Sequence, residues 1–134
     1  MSEAGDGQRD SRIQDLVHGY FIAFQNADRA AMEALLPDDF TFTSPYDDHI
    51  SRAAYFERCW PHSGSFRFRE PMKFFVEGDE CFVLYETEGK PGGTFRNAEL
   101  FTFRGDLAHS VEVFFGFVPG AMDAKAPEPG TPSA

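Results

Sequence analysis

The 134-residue chain predicts a single α+β domain, a cone-shaped α+β barrel of three N-terminal helices on a strongly curved mixed or antiparallel sheet. Two observations carry this. Apolar residues recur at helical spacing up to Trp60, and after Gly64 the period switches to two, in runs separated by Glu-Gly-Asp, Lys-Pro-Gly-Gly and Gly-Asp turn signals. A chain with 16 Phe residues also has bulky rings enough to line a core or a cavity between helices and sheet.

Residues 1–9 are small and polar and read as a disordered arm; the domain spans 10–118, and 119–134 is a loose Pro- and Ala-rich tail. Ser11 and Gln14 have the spacing of a capping box, and Ile13, Leu16, Val17, Tyr20, Phe24 and Ala27 form the apolar stripe of a first helix. Asp28 can cap a second, shorter helix that Pro37 ends. A strand over Phe40–Ser44 follows, with Phe40, Phe42 and Ser44 on one side, and Pro45 stops it for want of an N–H. Asp47 and Asp48 read as a turn before a third helix, which Ser51 caps and Pro61 closes; Tyr55, Phe56, Cys59 and Trp60 share its inner face. Five strands remain: Phe66–Phe68, interrupted at Glu70-Pro71, then Met72–Val76, Cys81–Thr87, Thr94–Arg104 and His109–Phe117.

The net charge of −10 argues against nucleic acid or an anionic membrane as partner, since both reward Lys and Arg. No apolar run reaches the roughly 20 residues of a membrane span. The two cysteines, Cys59 and Cys81, have no metal or redox spacing and read as reduced thiols, and the polar first residues lack a leader's apolar core, so the expectation is a cytoplasmic protein. His18, His49, His62 and His109 are scattered, so no metal site is expected; with no phosphate-binding glycine loop, no cofactor is expected either.

Chemistry is suggested most by Glu99. Phe95, Asn97, Glu99, Phe101 and Phe103 share the more apolar face of their strand. A carboxylate there needs a partner, carries a raised pKa, or is turned to solvent by a bulge. Tyr20 lies on the inner stripe of the first helix, where its hydroxyl needs a partner. Asp48 and His62 lie near the expected cavity mouth, as an acid or base. Phe24, Phe40, Phe42, Ser44, Phe56, Trp60, Phe101, Val113 and Phe115 would line the pocket. His109, Val111, Val113 and Phe115 are expected to face it, with Glu112 and Phe114 outward.

The segment Tyr20-Phe21-Ile22-Ala23-Phe24-Gln25-Asn26-Ala27-Asp28, with Pro37-Asp38-Asp39-Phe40-Thr41-Phe42-Thr43-Ser44-Pro45, resembles the nuclear-transport-factor-2-like superfamily, in its ketosteroid-isomerase and SnoaL-like polyketide-cyclase branch. The likeness extends over residues 11–117 and implies a cystatin-like cone, commonly dimeric, here through the outer sheet face. It implies that Tyr20 donates a hydrogen bond to a ligand carbonyl. Glu99, in Ala98-Glu99-Leu100-Phe101-Thr102-Phe103, falls where those isomerases keep a neutral, donating Asp. Ser44 stands where they keep their general base, and a serine hydroxyl cannot shuttle a proton between carbons as a carboxylate does. The resemblance implies a small apolar ligand and either isomerase, cyclase or dehydratase chemistry with a base from Asp48 or His62, or a binding domain without a base. A dimerising interaction module is the third possibility.

Overall fold

The computed structural model describes residues 3–89, 93–116 and 120. Helix α1 spans Glu3–Gln25 and buries Ile13, Val17, Tyr20 and Phe21 along one stripe. It begins well before the expected cap: Ser11 is an exposed residue inside the helix, and most of the expected arm is helical. Long-range contacts hold its first turns. The Arg9 guanidinium donates to Asp79 Oδ1 at 3.2 Å and to the Gly105 carbonyl at 3.0 Å, and Arg12 donates to both Asp106 oxygens. The Arg9 partners lie 70 and 96 residues away in sequence, beyond the reach of a local reading.

Asp28 caps α2 (Arg29–Leu35), its carboxylate accepting the Ala31 N–H at 3.2 Å. The expected strand is β1 (Thr41–Ser44). The Pro45-Tyr46 turn then leads into an unexpected strand, β2 (Asp47–Ser51), where the sequence suggested only a turn. β1 pairs with the last strand on one edge; β2 folds back to cover the other. Ser51 caps α3 (Arg52–Arg58), accepting the Ala54 N–H at 3.1 Å, and a 3₁₀ turn over Trp60–His62 closes it.

Five strands follow: β3 (Phe66–Phe68), β4 (Lys73–Glu77), β5 (Glu80–Gly89), β6 (Thr94–Arg104) and β7 (Leu107–Phe115). Their order is β2-β1-β7-β6-β5-β3, with β4 also on β5. All pairs are antiparallel except β1 with β7, so the sheet is mixed. It curls around the helices as the expected cone, with its edges left open. Phe117, the expected end of the last strand, and the tail beyond Pro119, Gly120 apart, lie outside the described residues.

Strand β6 keeps its alternation: Asn97, Glu99, Phe101 and Phe103 are buried, Arg96 is exposed, and Ala98, Leu100 and Thr102 are partly covered. On β7 the expected alternation fails at one point. Thr102 pairs with Ser110 but Phe103 with Ala108, so the register shifts across His109. Ala108 turns inward, and the partly exposed His109 ring sits 3.5 Å from Asp39 on the surface. Val111 and Val113 stay inward, while Phe115 is 49% exposed. No helix among the described residues is long and apolar enough to cross a membrane.

Candidate functional site

Three elements converge behind the middle of β6. Helix α1 contributes Tyr20, whose ring stands edge-on to Phe101 at 5.0 Å. Helix α3 contributes Tyr55, whose ring packs on Phe40, Phe42 and Phe56 at 5.2–5.4 Å. The two hydroxyls meet at 3.1 Å in a single hydrogen bond, one donating its O–H and the other accepting it. Strand β6 contributes Glu99, 4% exposed, between its register partners Val83 and Val113. Its Oε2 is sealed from solvent without a hydrogen bond among the described residues.

Burial pushes the Glu99 carboxyl up to about 8, and the Tyr85 hydroxyl offsets part of the shift by favouring the ionised form. Glu99 is therefore neutral at pH 7 and carries an O–H. Burial likewise raises Tyr20 well above the ordinary tyrosine range, with Tyr55 and Glu99 adding to it. Tyr55 and Tyr85 are also raised, burial first. One step along the same face, Asn97 donates to the Tyr85 hydroxyl at 3.3 Å and accepts the Gly116 N–H at 3.0 Å. The result is a buried set of neutral O–H groups in an aromatic wall. Such donors can hold an oxygen that gains negative charge, and they act most strongly where water is excluded.

Of the residues expected from sequence, Tyr20 and Glu99 come together here, with Phe40, Phe42, Phe56, Trp60, Phe101 and Val113 buried around them. Phe24 is half-buried, edge-on to Trp60 at 5.7 Å, and Phe115 packs at 5.7 Å on exposed Tyr46. Ser44 is half-buried, and its Oγ accepts the Tyr46 N–H at 3.1 Å, which closes the turn. Asp48 and His62 are not part of the cluster: the Asp48 side chain is 89% exposed and bonded to His49, and His62 is exposed. Tyr55, Tyr85 and Asn97 join the cluster with no motif to announce them, although strand parity and helical spacing mark them as inward. A shallow groove of about 370 Å³, lined in part by Gln25, Phe66, Arg67 and Glu88, contains none of the cluster. No group of three or more His, Cys, Asp or Glu among the described residues could hold a metal ion.

Solved structures share this architecture. An NTF2-like protein of unknown function from Cytophaga hutchinsonii superposes with a TM-score of 0.63 at 22% identity, covering 77% of this chain and 88% of that one. A proposed ketosteroid isomerase from Kribbella flavida gives 0.67 at 16% identity, over 90% and 85%. An epoxide hydrolase of the LEH-like type from M. tuberculosis gives 0.65 at 18%, over 80% and 84%. At these identities the likeness establishes the cone-shaped fold, which hosts differing chemistries. No curated protein sequence matches the chain. The family model of the SnoaL-like domain matches residues 17–110, most of the helix-and-sheet cone just described, and the chain belongs to that family.

Proposed function

We propose that the protein binds a small apolar molecule by a carbonyl or hydroxyl oxygen, through hydrogen bonds from Tyr20 and neutral Glu99, and that it acts as an isomerase, cyclase or dehydratase without a cofactor. The observation that carries this reading is Glu99 itself. A carboxyl buried with one oxygen lacking a hydrogen bond among the described residues costs stability, and a neutral acid beside a tyrosine pair is a donor arrangement suited to an enolate-like oxygen. The ketosteroid-isomerase description of one structural neighbour agrees with it.

A phenolate mimics such an oxygen on an apolar ring. Planar phenols are therefore expected to bind the native protein, and Tyr20→Phe to weaken them about tenfold, the loss of one hydrogen bond to a charged group. Calorimetric titration measures this; equal affinity would remove Tyr20 from the site. The competing reading is a binding domain without catalysis. It is favoured by Ser44, whose hydroxyl is committed to the Tyr46 N–H.

The reading includes a homodimer through the outer sheet face. Phe75, Phe82, Leu84 and Phe114 are exposed there on three strands, and the Phe82 and Phe114 rings lie 6.4 Å apart. A second copy presenting the same patch would cover it about a twofold axis, burying roughly 800 Å² per partner. Light scattering should find a dimer that Phe82→Glu converts to monomer, and a monomeric native protein rules the interface out.

A further inference from the structure

We propose that Asp47 is the proton acceptor of this site, taking over the task that Ser44 cannot perform; the inference rests on the small-molecule reading above. It begins from the register of the β1–β2 hairpin. Phe42, which is buried, pairs with Ile50, and Ser44 pairs with Asp47. Two residues of β1 thus span three of β2, so β2 carries one extra residue. The bulge lies over Asp48 and His49, where His49 has φ +51° and its N–H donates to Thr43 Oγ1 at 3.0 Å. Plain alternation from inward-facing Ile50 would turn Asp48 in and Asp47 out. The extra residue reverses the two. The Asp48 side chain is 89% exposed and that of Asp47 only 8%.

Cross-strand partners project to the same side of a sheet, so Asp47 faces the same side as Ser44, toward α3. Its Oδ1 is sealed from solvent and lacks a properly directed hydrogen bond among the described residues. The Arg58 guanidinium lies 2.7 Å from that oxygen as an ion-pair partner, off the line such a bond requires. Phe42, on that same side of β1, packs its ring on Tyr55 at 5.2 Å, and Cys59 caps the C-terminus of α3 next to Arg58. Its thiol is pushed up to about 11 by burial and then by Asp47, and Cys59 in turn bears on the Tyr55 hydroxyl.

The step balances without a co-reactant. The Asp47 carboxylate takes a proton from carbon next to the bound carbonyl: a C–H bond breaks, an O–H bond forms, and the electron pair moves into a C=C bond. The carbonyl oxygen becomes an enolate oxygen, held by the Tyr20 and Glu99 O–H groups. The proton then returns to the same carbon or to one further along the conjugated system, and Asp47 is restored.

The test uses 2-tetralone, an apolar ketone with acidic α-hydrogens, in D₂O, with proton NMR following the replacement of those hydrogens by deuterium. The native protein should accelerate exchange. Asp47→Asn should lose at least about 100-fold of that acceleration, the range of a general base, while Asp48→Asn keeps the native rate. Phenol binding by Asp47→Asn should persist, which shows an intact pocket. Should that variant not fold, Asp47→Asn combined with Ser44→Asp carries the carboxylate on the neighbouring strand and should restore exchange; a folded double variant that stays inactive counts against the proposal. Exchange at the native rate in Asp47→Asn overturns it. So does a native protein that binds phenols through Tyr20 but exchanges no ketone hydrogen, and that outcome leaves the binding reading standing. A native protein that binds no phenol and exchanges nothing removes both.

Discussion

Replacing Glu99 by Gln is expected to stabilise the protein at pH 8.5 far more than at pH 5. The folded chain holds the Glu99 carboxyl neutral up to about 8, whereas its ordinary value is 4.5. Between those values the folded state keeps a proton that the unfolded state releases. Stability therefore falls as pH rises through this window, by about 1.4 kcal/mol per unit, and levels off above the folded-state value. Over the whole window the loss is on the order of 5 kcal/mol. A glutamine keeps the shape without the titration, so the variant lacks this loss. Paired surface carboxylates act in the opposite direction: Arg104 lowers Asp39 to about 2, and Arg12 lowers Asp106. Their contributions are common to both proteins and cancel in the difference. Urea unfolding of both proteins at the two pH values measures it; an equal stability difference at pH 5 and pH 8.5 would show that Glu99 titrates normally in the folded chain.

Tyr55→Ala is expected to cost about 4 kcal/mol, and Tyr55→Phe about 1 kcal/mol. The Tyr55 ring is 1% exposed and packs on Phe40, Phe42 and Phe56, so its removal opens a cavity where α3 meets β1. It also leaves the Tyr20 hydroxyl without its partner. The phenylalanine variant keeps the ring and loses only the hydroxyl pair. It should fold and still bind phenols, more weakly, because Tyr20 loses the neighbour that orients it. Denaturant unfolding gives the two costs, and a Tyr55→Ala loss below about 1 kcal/mol would mean that the interior collapses around the missing ring.

Local patterns survive folding where local forces set them. Asp28 and Ser51 cap their helices because a short polar side chain reaches the N–H groups two or three residues on, whatever the rest of the chain does. Glu99 is buried because strand alternation puts it in line with Asn97, Phe101 and Phe103. Tyr20 is buried because its helix has one apolar stripe. These two residues were legible in the sequence by position. The resemblance to ketosteroid isomerases, rather than periodicity, suggested what they would do.

Bulges and distant pairings were not legible. A single extra residue at Asp48–His49 exchanges the facing of two adjacent aspartates, and another at His109 turns Ala108 inward and the imidazole outward. Neither leaves a composition signal, since both depend on which strand lies alongside. The same holds for β2 and for the early start of α1, which is held by the turns at Asp79 and Asp106. Periodicity and capping act over a few residues, and they suffice for the order of the main helices and strands, the capped helix starts at Asp28 and Ser51, and the burial of Tyr20 and Glu99. That Tyr55 meets Tyr20, that Asn97 braces Tyr85, and that Asp47 rather than Asp48 turns inward came only from the packed chain, because each depends on the register or approach of segments that local forces do not align.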